Sequence, residues 1–225
     1  MIGPSIGRRL VAEAIGTAFL LAAVVGSGIM AERLSGGNGG VALLANAIAT
    51  GAALLALIMT FGPISGAHYN PAVTLVLTVR GALPWGDAVL YSIVQTVSAI
   101  AGVWLAHLMF DLPILQSSGH MRTGFGQWTG EFVATFGLIA LILSGVRHHE
   151  RAVPAMVAGY ITAAYWFTSS TSFANPAVTL ARSMTDSFAG IGPNDVLGFI
   201  AAQLAGAAAA TALMGWLLGP QVARG

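Results

Sequence analysis

The hexapeptide Asn-Pro-Ala-Val-Thr-Leu stands twice in this chain, at residues 70–75 and 175–180. Asn before Pro is a helix-start signal: the Asn side chain accepts from free backbone amides, and Pro fills a first position that needs no donor. Asn70, Pro71 and Ala72, and again Asn175, Pro176 and Ala177, are therefore expected to open a helix. Each Asn keeps an NH2 able to donate to a passing oxygen. Other polar residues recur in step. Glu13 in Ala-Glu-Ala-Ile-Gly-Thr is echoed by Glu131 in Gly-Glu-Phe-Val-Ala-Thr, and the pair Asp87 and Gln95 by Asp195 and Gln203 at the same eight-residue separation. This is hydrogen-bonding chemistry, suited to neutral hydroxylated molecules. Nucleophilic and metal chemistry lack their residues: there is no cysteine, no Ser-His pair, no His-Glu-x-x-His run and no paired aspartate in the apolar stretches. Neither enzyme activity nor a cofactor is expected, and His107 and His120 receive no role.

The elements that must position these residues belong in a bilayer. With 56% hydrophobic and 8% charged residues, 225 residues have too little polar surface for a soluble globule. All nine basic residues are arginine and the net charge is +1, so nucleic acid is not an expected partner. Six apolar stretches are long enough to span, at residues 10–30, 41–61, 88–110, 126–146, 152–172 and 196–218. The first is too long for a signal peptide and lacks a small-x-small cleavage site, so it is read as retained. Six crossings put Arg8, Arg9, Arg80, Arg147, Arg151 and Arg224 on one side against Arg33, Arg122 and Arg182 on the other. Arginine bias predicts a multi-pass protein of the cell (inner) membrane with both termini cytoplasmic.

Each half, about residues 1–112 and 125–225, carries three spans and one hexapeptide, and the two halves are read as one domain. Three is odd, so the second half enters the membrane upside down, and the hexapeptides approach from opposite faces. Helices over residues 71–80 and 176–185 are too short to cross and should stop at mid-depth. Residues 62–69 and 171–174 are expected as re-entrant loops beside a pore. Two helix N-termini meeting there place about half a positive charge each at the midplane, opposing cations and protons.

These residues resemble the aquaporin, or major intrinsic protein, family. The resemblance rests on both Asn-Pro-Ala motifs, the run Ser65-Gly66-Ala67-His68-Tyr69-Asn70-Pro71-Ala72-Val73-Thr74, the glutamates of spans one and four, and the glutamines of spans three and six. It implies an all-α membrane protein with an aquaporin-like fold: six transmembrane helices plus two re-entrant half-helices in an inverted repeat. It also implies a pore through each subunit of a homotetramer. For Glu13 and Glu131 it implies support of the re-entrant loops; placement near headgroups, or a proton relay, are the rival readings. His68 is either a lining residue of the cytoplasmic half of the pore or a packed loop histidine.

The family's constriction usually carries an arginine three positions after the second motif's Asn, and here Val178 stands there. Family offsets put Thr50, Ala163 and Ser172 at the other three positions. Four small or medium uncharged residues predict a wide, uncharged filter. Arg182, one turn beyond Val178, either supplies a displaced charge in the outer vestibule, snorkels to the headgroups, or pairs with Asp186. The glycerol-facilitator Arg-Asp pair is absent, and the second motif resembles a bacterial branch associated with arsenic resistance. The expected function is passive passage of small neutral solutes, such as metalloid hydroxides (arsenous acid) or organoarsenicals, with water and glycerol following. Alternatives are a water-selective aquaporin, a glycerol facilitator or, from another class, a secondary transporter, which also uses inverted repeats. A transporter needs an intramembrane coupling-ion site, and the sequence offers no such Asp or Lys in its spans.

Overall fold

The computed structural model describes residues 3–219, leaving Arg224 outside the described residues. Among the described residues, eight α-helices run in the order α1 (Ile6–Leu34), α2 (Gly39–Ser65), α3 (Pro71–Val79), α4 (Trp85–Met109), α5 (Phe125–His148), α6 (Val153–Phe167), α7 (Pro176–Arg182) and α8 (Val196–Leu218). Short 3-10 turns, Glu150–Ala152 and Pro193–Asp195, lead into α6 and α8.

Helix α1 packs on α2 and α4, α5 packs on α6 and α8, and α2 against α6 joins the two groups. The short helices cross over: α3 touches α8 as well as α4, and α7 touches α4 as well as α8. Close approach of the long helices depends on two glycines. A Cβ on Gly102 would run into the carbonyl oxygen of Ala18, and one on Gly206 into that of Phe132. Of the other small residues, Gly16, Gly51 and Gly198 also face close neighbours, whereas Gly159 faces open space.

Among the described residues, five helices (α1, α2, α4, α5, and α8 with its leading turn) are long and apolar enough to cross a membrane. Large apolar side chains such as Phe19, Val97, Leu197 and Trp216 stand exposed on the outside, the surface expected against lipid. Trp85, Trp128 and Trp216 are likewise exposed, and so is Trp166.

The fifth apolar stretch departs from expectation. Helix α6 covers only 15 residues, about 22 Å at 1.5 Å per residue, and stops at Phe167 instead of running to residue 172. The helix gives way at the run Thr168-Ser169-Ser170-Thr171, residue types that favour turns over helix interiors, and its last amide bond runs from Thr168 N to Ala164 O at 3.2 Å.

The first loop is also shorter than expected. Helix α2 continues through Pro63 to Ser65 and closes on Gly66 at φ 88°, so the non-helical segment is residues 66–69. The short helices end early as well. Helix α3 stops at Val79, and α7 at Arg182, where Ser183 turns back with its amide on Leu180 O at 3.1 Å. The loop after α7 is pinned by buried His107, whose Nε2 lies 2.8 Å from Thr185 Oγ1.

Candidate functional site

Both Asn-Pro-Ala motifs form the expected caps. Asn70 Oδ1 accepts from Ala72 N at 2.9 Å, and Asn175 Oδ1 accepts from Ala177 N at 3.0 Å and Val178 N at 3.3 Å. Pro71 and Pro176 take the first helical positions. The two caps are then tied to each other. Asn70 Nδ2 donates to Ala174 O and Asn175 Nδ2 to Tyr69 O, each at 2.8 Å. One hydrogen of each NH2 is thereby committed to the opposite loop, leaving the other for the cavity.

The loops before the motifs are held in a conformation that side chains rarely adopt. Ala67 and Tyr69 in the first, and Thr171, Ser172 and Ala174 in the second, all have φ between 48° and 61°, which costs energy for non-glycine residues. The two fully buried glutamates offset that cost by receiving the loop amides. Glu13 accepts from His68 N (2.9 Å) and Tyr69 N (2.8 Å), and Glu131 from Phe173 N (2.8 Å) and Ala174 N (2.9 Å). Gln95 Nε2 donates to Glu13 Oε2 at 2.9 Å and to Thr74 Oγ1 at 3.0 Å. Gln203 Nε2 does the same to Glu131 Oε2 at 2.5 Å and Thr179 Oγ1 at 2.8 Å. Charge-assisted bonds from backbone amides are among the strongest available in a dry interior. Placement of either glutamate at the headgroups is excluded by its burial.

A cavity runs past these groups. Its apolar wall includes Leu20, Leu54, Leu138 and Ile161, and its polar side includes the two loops, His68, Asn70 and Asn175. Such a lining lets a solute exchange water for fixed partners on one side only. His68 is half-buried, with Nδ1 3.1 Å from Thr74 Oγ1 and its ring tilted on Tyr91 at 5.3 Å between centroids.

Of the four residues assigned by family offsets, Thr50, Ser172 and Val178 line the cavity. Ala163 does not: it is exposed on the outside of α6. Two positions along an α-helix turn the side chain by about 200°, and it is Tyr165 that faces inward, buried, with its hydroxyl 3.2 Å from Thr50 Oγ1.

For Arg182 the structure narrows the alternatives. The side chain neither snorkels nor pairs with Asp186; it is 2% exposed, lines the cavity, donates from Nε to Ala189 O and lies 3.4 Å from the centroid of Phe173. The cavity lining therefore includes a guanidinium outside the four positions assigned by family offsets. Asp186 instead accepts from Gly119 N at 2.9 Å.

Two clusters had no signal beyond single polar residues in the sequence. Arg122, in the segment before α5, donates to Gly190 O at 2.7 Å and sits 5.2 Å from the same Phe173 ring, while its own amide reaches Asp195 Oδ2 at 2.7 Å. Burial lowers its pKa and the Glu131 charge opposes that shift. Near the other end, Arg9 pairs with Asp87 at 2.9 Å and donates to Tyr91 OH, which donates to Ser65 O at 2.9 Å. His148 and His149 stand exposed at the end of α5.

Comparison with known proteins agrees with this geometry. The family model for Major intrinsic protein matches residues 3–171. The chain is 60% identical over 213 residues to "Aquaglyceroporin AqpS" of Rhizobium meliloti (strain 1021), covering 95% of this chain and 91% of that one. It is 34% identical over 212 residues to "Aquaporin NIP1-4" of Oryza sativa subsp. japonica, covering 90% and 74%. The X-ray structure of the aquaglyceroporin from Plasmodium falciparum superposes with a TM-score of 0.74 at 18% identity, covering 96% of this chain and 98% of that one.

Proposed function

Because the chain belongs to the major intrinsic protein family, we propose that it is a passive pore through which small neutral hydroxylated solutes larger than water pass, with water alongside. It is an integral membrane channel and not an enzyme. The observation that carries the reading is the tip-to-tip arrangement of α3 and α7, whose capping asparagines bond reciprocally beside one continuous cavity. The name of the 60% identical relative, an aquaglyceroporin, supports passage of glycerol-type solutes.

We assign the pore centre to Asn70, Pro71, Ala72, Asn175, Pro176 and Ala177, and the constriction to Thr50, Tyr165, Ser172 and Val178. Glu13 and Glu131 hold the loops so that their carbonyls face the permeating solute. His68 borders the cytoplasmic half. Metalloid hydroxides and organoarsenicals fit the role, since a valine at position 178 leaves more room than a guanidinium would. The same reading takes residues 1–112 and 125–225 as inverted repeats of one domain, the assembly as a homotetramer, and the location as the inner membrane with cytoplasmic termini.

Stopped-flow swelling of vesicles carrying the purified chain tests this with a panel of solutes. Glycerol and arsenous acid are each expected to enter faster than into protein-free vesicles. Arsenite entry no faster than in empty vesicles would remove the metalloid assignment, and glycerol entry at the empty-vesicle rate would restrict the pore to water.

A further inference from the structure

We propose that Arg182 is the fixed positive charge of this pore and that, with the Ser172 hydroxyl, it forms a station that receives acceptor oxygens of neutral solutes and turns back cations. The proposal rests on the channel reading above and adds the residue that sets charge selectivity.

Arg182 is buried yet borders the cavity. Among the described residues no carboxylate lies within ion-pair distance of it, and only its Nε has an acceptor, Ala189 O. Its two Nη groups have no acceptor there. A buried charge without a counter-ion is expensive, and the Phe173 face offsets only part of that cost. The second observation is independent. Ser172, 3% exposed, borders the same cavity, and its buried Oγ has no hydrogen-bond partner among the described residues. Ser172 is also held at φ 52°, a conformation the loop keeps against its cost. One charged donor group and one buried hydroxyl without a partner thus belong to residues that border the same space. An ordinary guanidinium carries its charge at neutral pH.

Val178 stands one helical turn before Arg182 in α7. Helical side chains lean toward the N-terminus, so a residue four positions later covers the preceding turn. Arg182 and Val178 both border the cavity, and the valine leaves that space free of a second long side chain. Arg122, packed near the same Phe173 ring and fixed on Gly190 O, adds a second positive charge behind the first. At about 7 Å and an effective dielectric of about 20, one unit charge lowers the occupancy of a cation by about fiftyfold.

The chain has no cysteine, so Arg182→Cys creates a unique thiol for restoring or withholding charge in the same folded protein. Reconstituted full-length chain is assayed for glycerol swelling, methylammonium uptake and proton flux. In the unsubstituted protein, methylammonium entry is expected at least about tenfold below glycerol entry. Arg182→Cys is expected to narrow that ratio about tenfold and to raise proton flux. Modification with a methanethiosulfonate ethylammonium reagent should restore exclusion, while neutral methyl methanethiosulfonate should not. Comparable methylammonium and glycerol entry in the unsubstituted protein would overturn the proposal before any variant is made. It would also be overturned by an unchanged ratio in Arg182→Cys vesicles that still swell, or by equal rescue with the neutral reagent. Failure of glycerol swelling in the unsubstituted protein is a different result and rejects the channel for glycerol itself.

Discussion

Asn70 and Asn175 each donate the side-chain amide to the carbonyl just before the other, Asn70 to Ala174 O and Asn175 to Tyr69 O, both at 2.8 Å. A single type of bond thus does two things. It locks the tips of α3 and α7 together, and it fixes the direction in which each remaining N–H points.

Replacing Asn70 by Ala removes a cap and the cross-bond, leaving Ala174 O buried without its partner. Loss of the cap costs about 1 kcal/mol, and the unsatisfied carbonyl about 1–3 kcal/mol. Thermal unfolding in detergent is expected to move down by several degrees, and solute flux to fall. Asn175→Ala should do the same, since the bonds are equivalent. A melting temperature unchanged in both variants would show that the tips are held by something else.

Glu131→Gln keeps the shape but leaves one oxygen to accept where the carboxylate offers two. One of the amides of Phe173 and Ala174 then loses its partner, and a destabilisation of about 1–3 kcal/mol follows. Glu13→Gln carries the same expectation for His68 and Tyr69. Melting curves of the two single variants and the double variant measure it, and near-additivity is expected because the glutamates serve separate loops.

Ala163→Phe places a ring on the outer face of α6 and is expected to change swelling rates by less than twofold. Tyr165→Ala opens the wall opposite Thr50 and should admit larger polyols. If Ala163→Phe closes the pore instead, the inward face of α6 has been assigned wrongly.

Val178→Arg introduces a guanidinium into the constriction, beside the one already supplied by Arg182. Solute range should shrink toward water, read as a loss of glycerol and arsenite entry of about tenfold or more relative to water. Unchanged solute entry would show that Val178 does not border the narrow part.

The repeated hexapeptide disclosed the two capped half-helices, because Asn-Pro acts on the backbone beside it; loop support by Glu13 and Glu131 came from the family resemblance, and the part of Gln95 and Gln203 in holding those carboxylates emerged only from the structure. Ala163 shows where such reading stops. An offset carried along a helix that ends early, at Phe167, lost its register, and an error of two positions reverses the face. Arg182 was visible as a residue and ambiguous as a neighbour: whether an arginine pairs, snorkels or lines a cavity depends on contacts made far along the chain, here with Phe173 and Ala189. Arg122 left still less trace, since its partners Gly190 and Phe188 offer only backbone carbonyls, which any sequence provides. The extent of α2 through Pro63 was hidden for a simpler reason. A proline in the last turn of a helix removes one bond and need not end it.

The most direct measurement is the concentration dependence of glycerol entry into vesicles carrying the intact chain, with and without an ionophore that collapses proton and sodium gradients. A pore built around the Asn70 and Asn175 tips predicts entry that rises linearly with the glycerol gradient, exceeds that of protein-free vesicles and ignores the ionophore. Saturating entry that stops when the gradients collapse would contradict it and point to a coupled carrier in place of an open conduit.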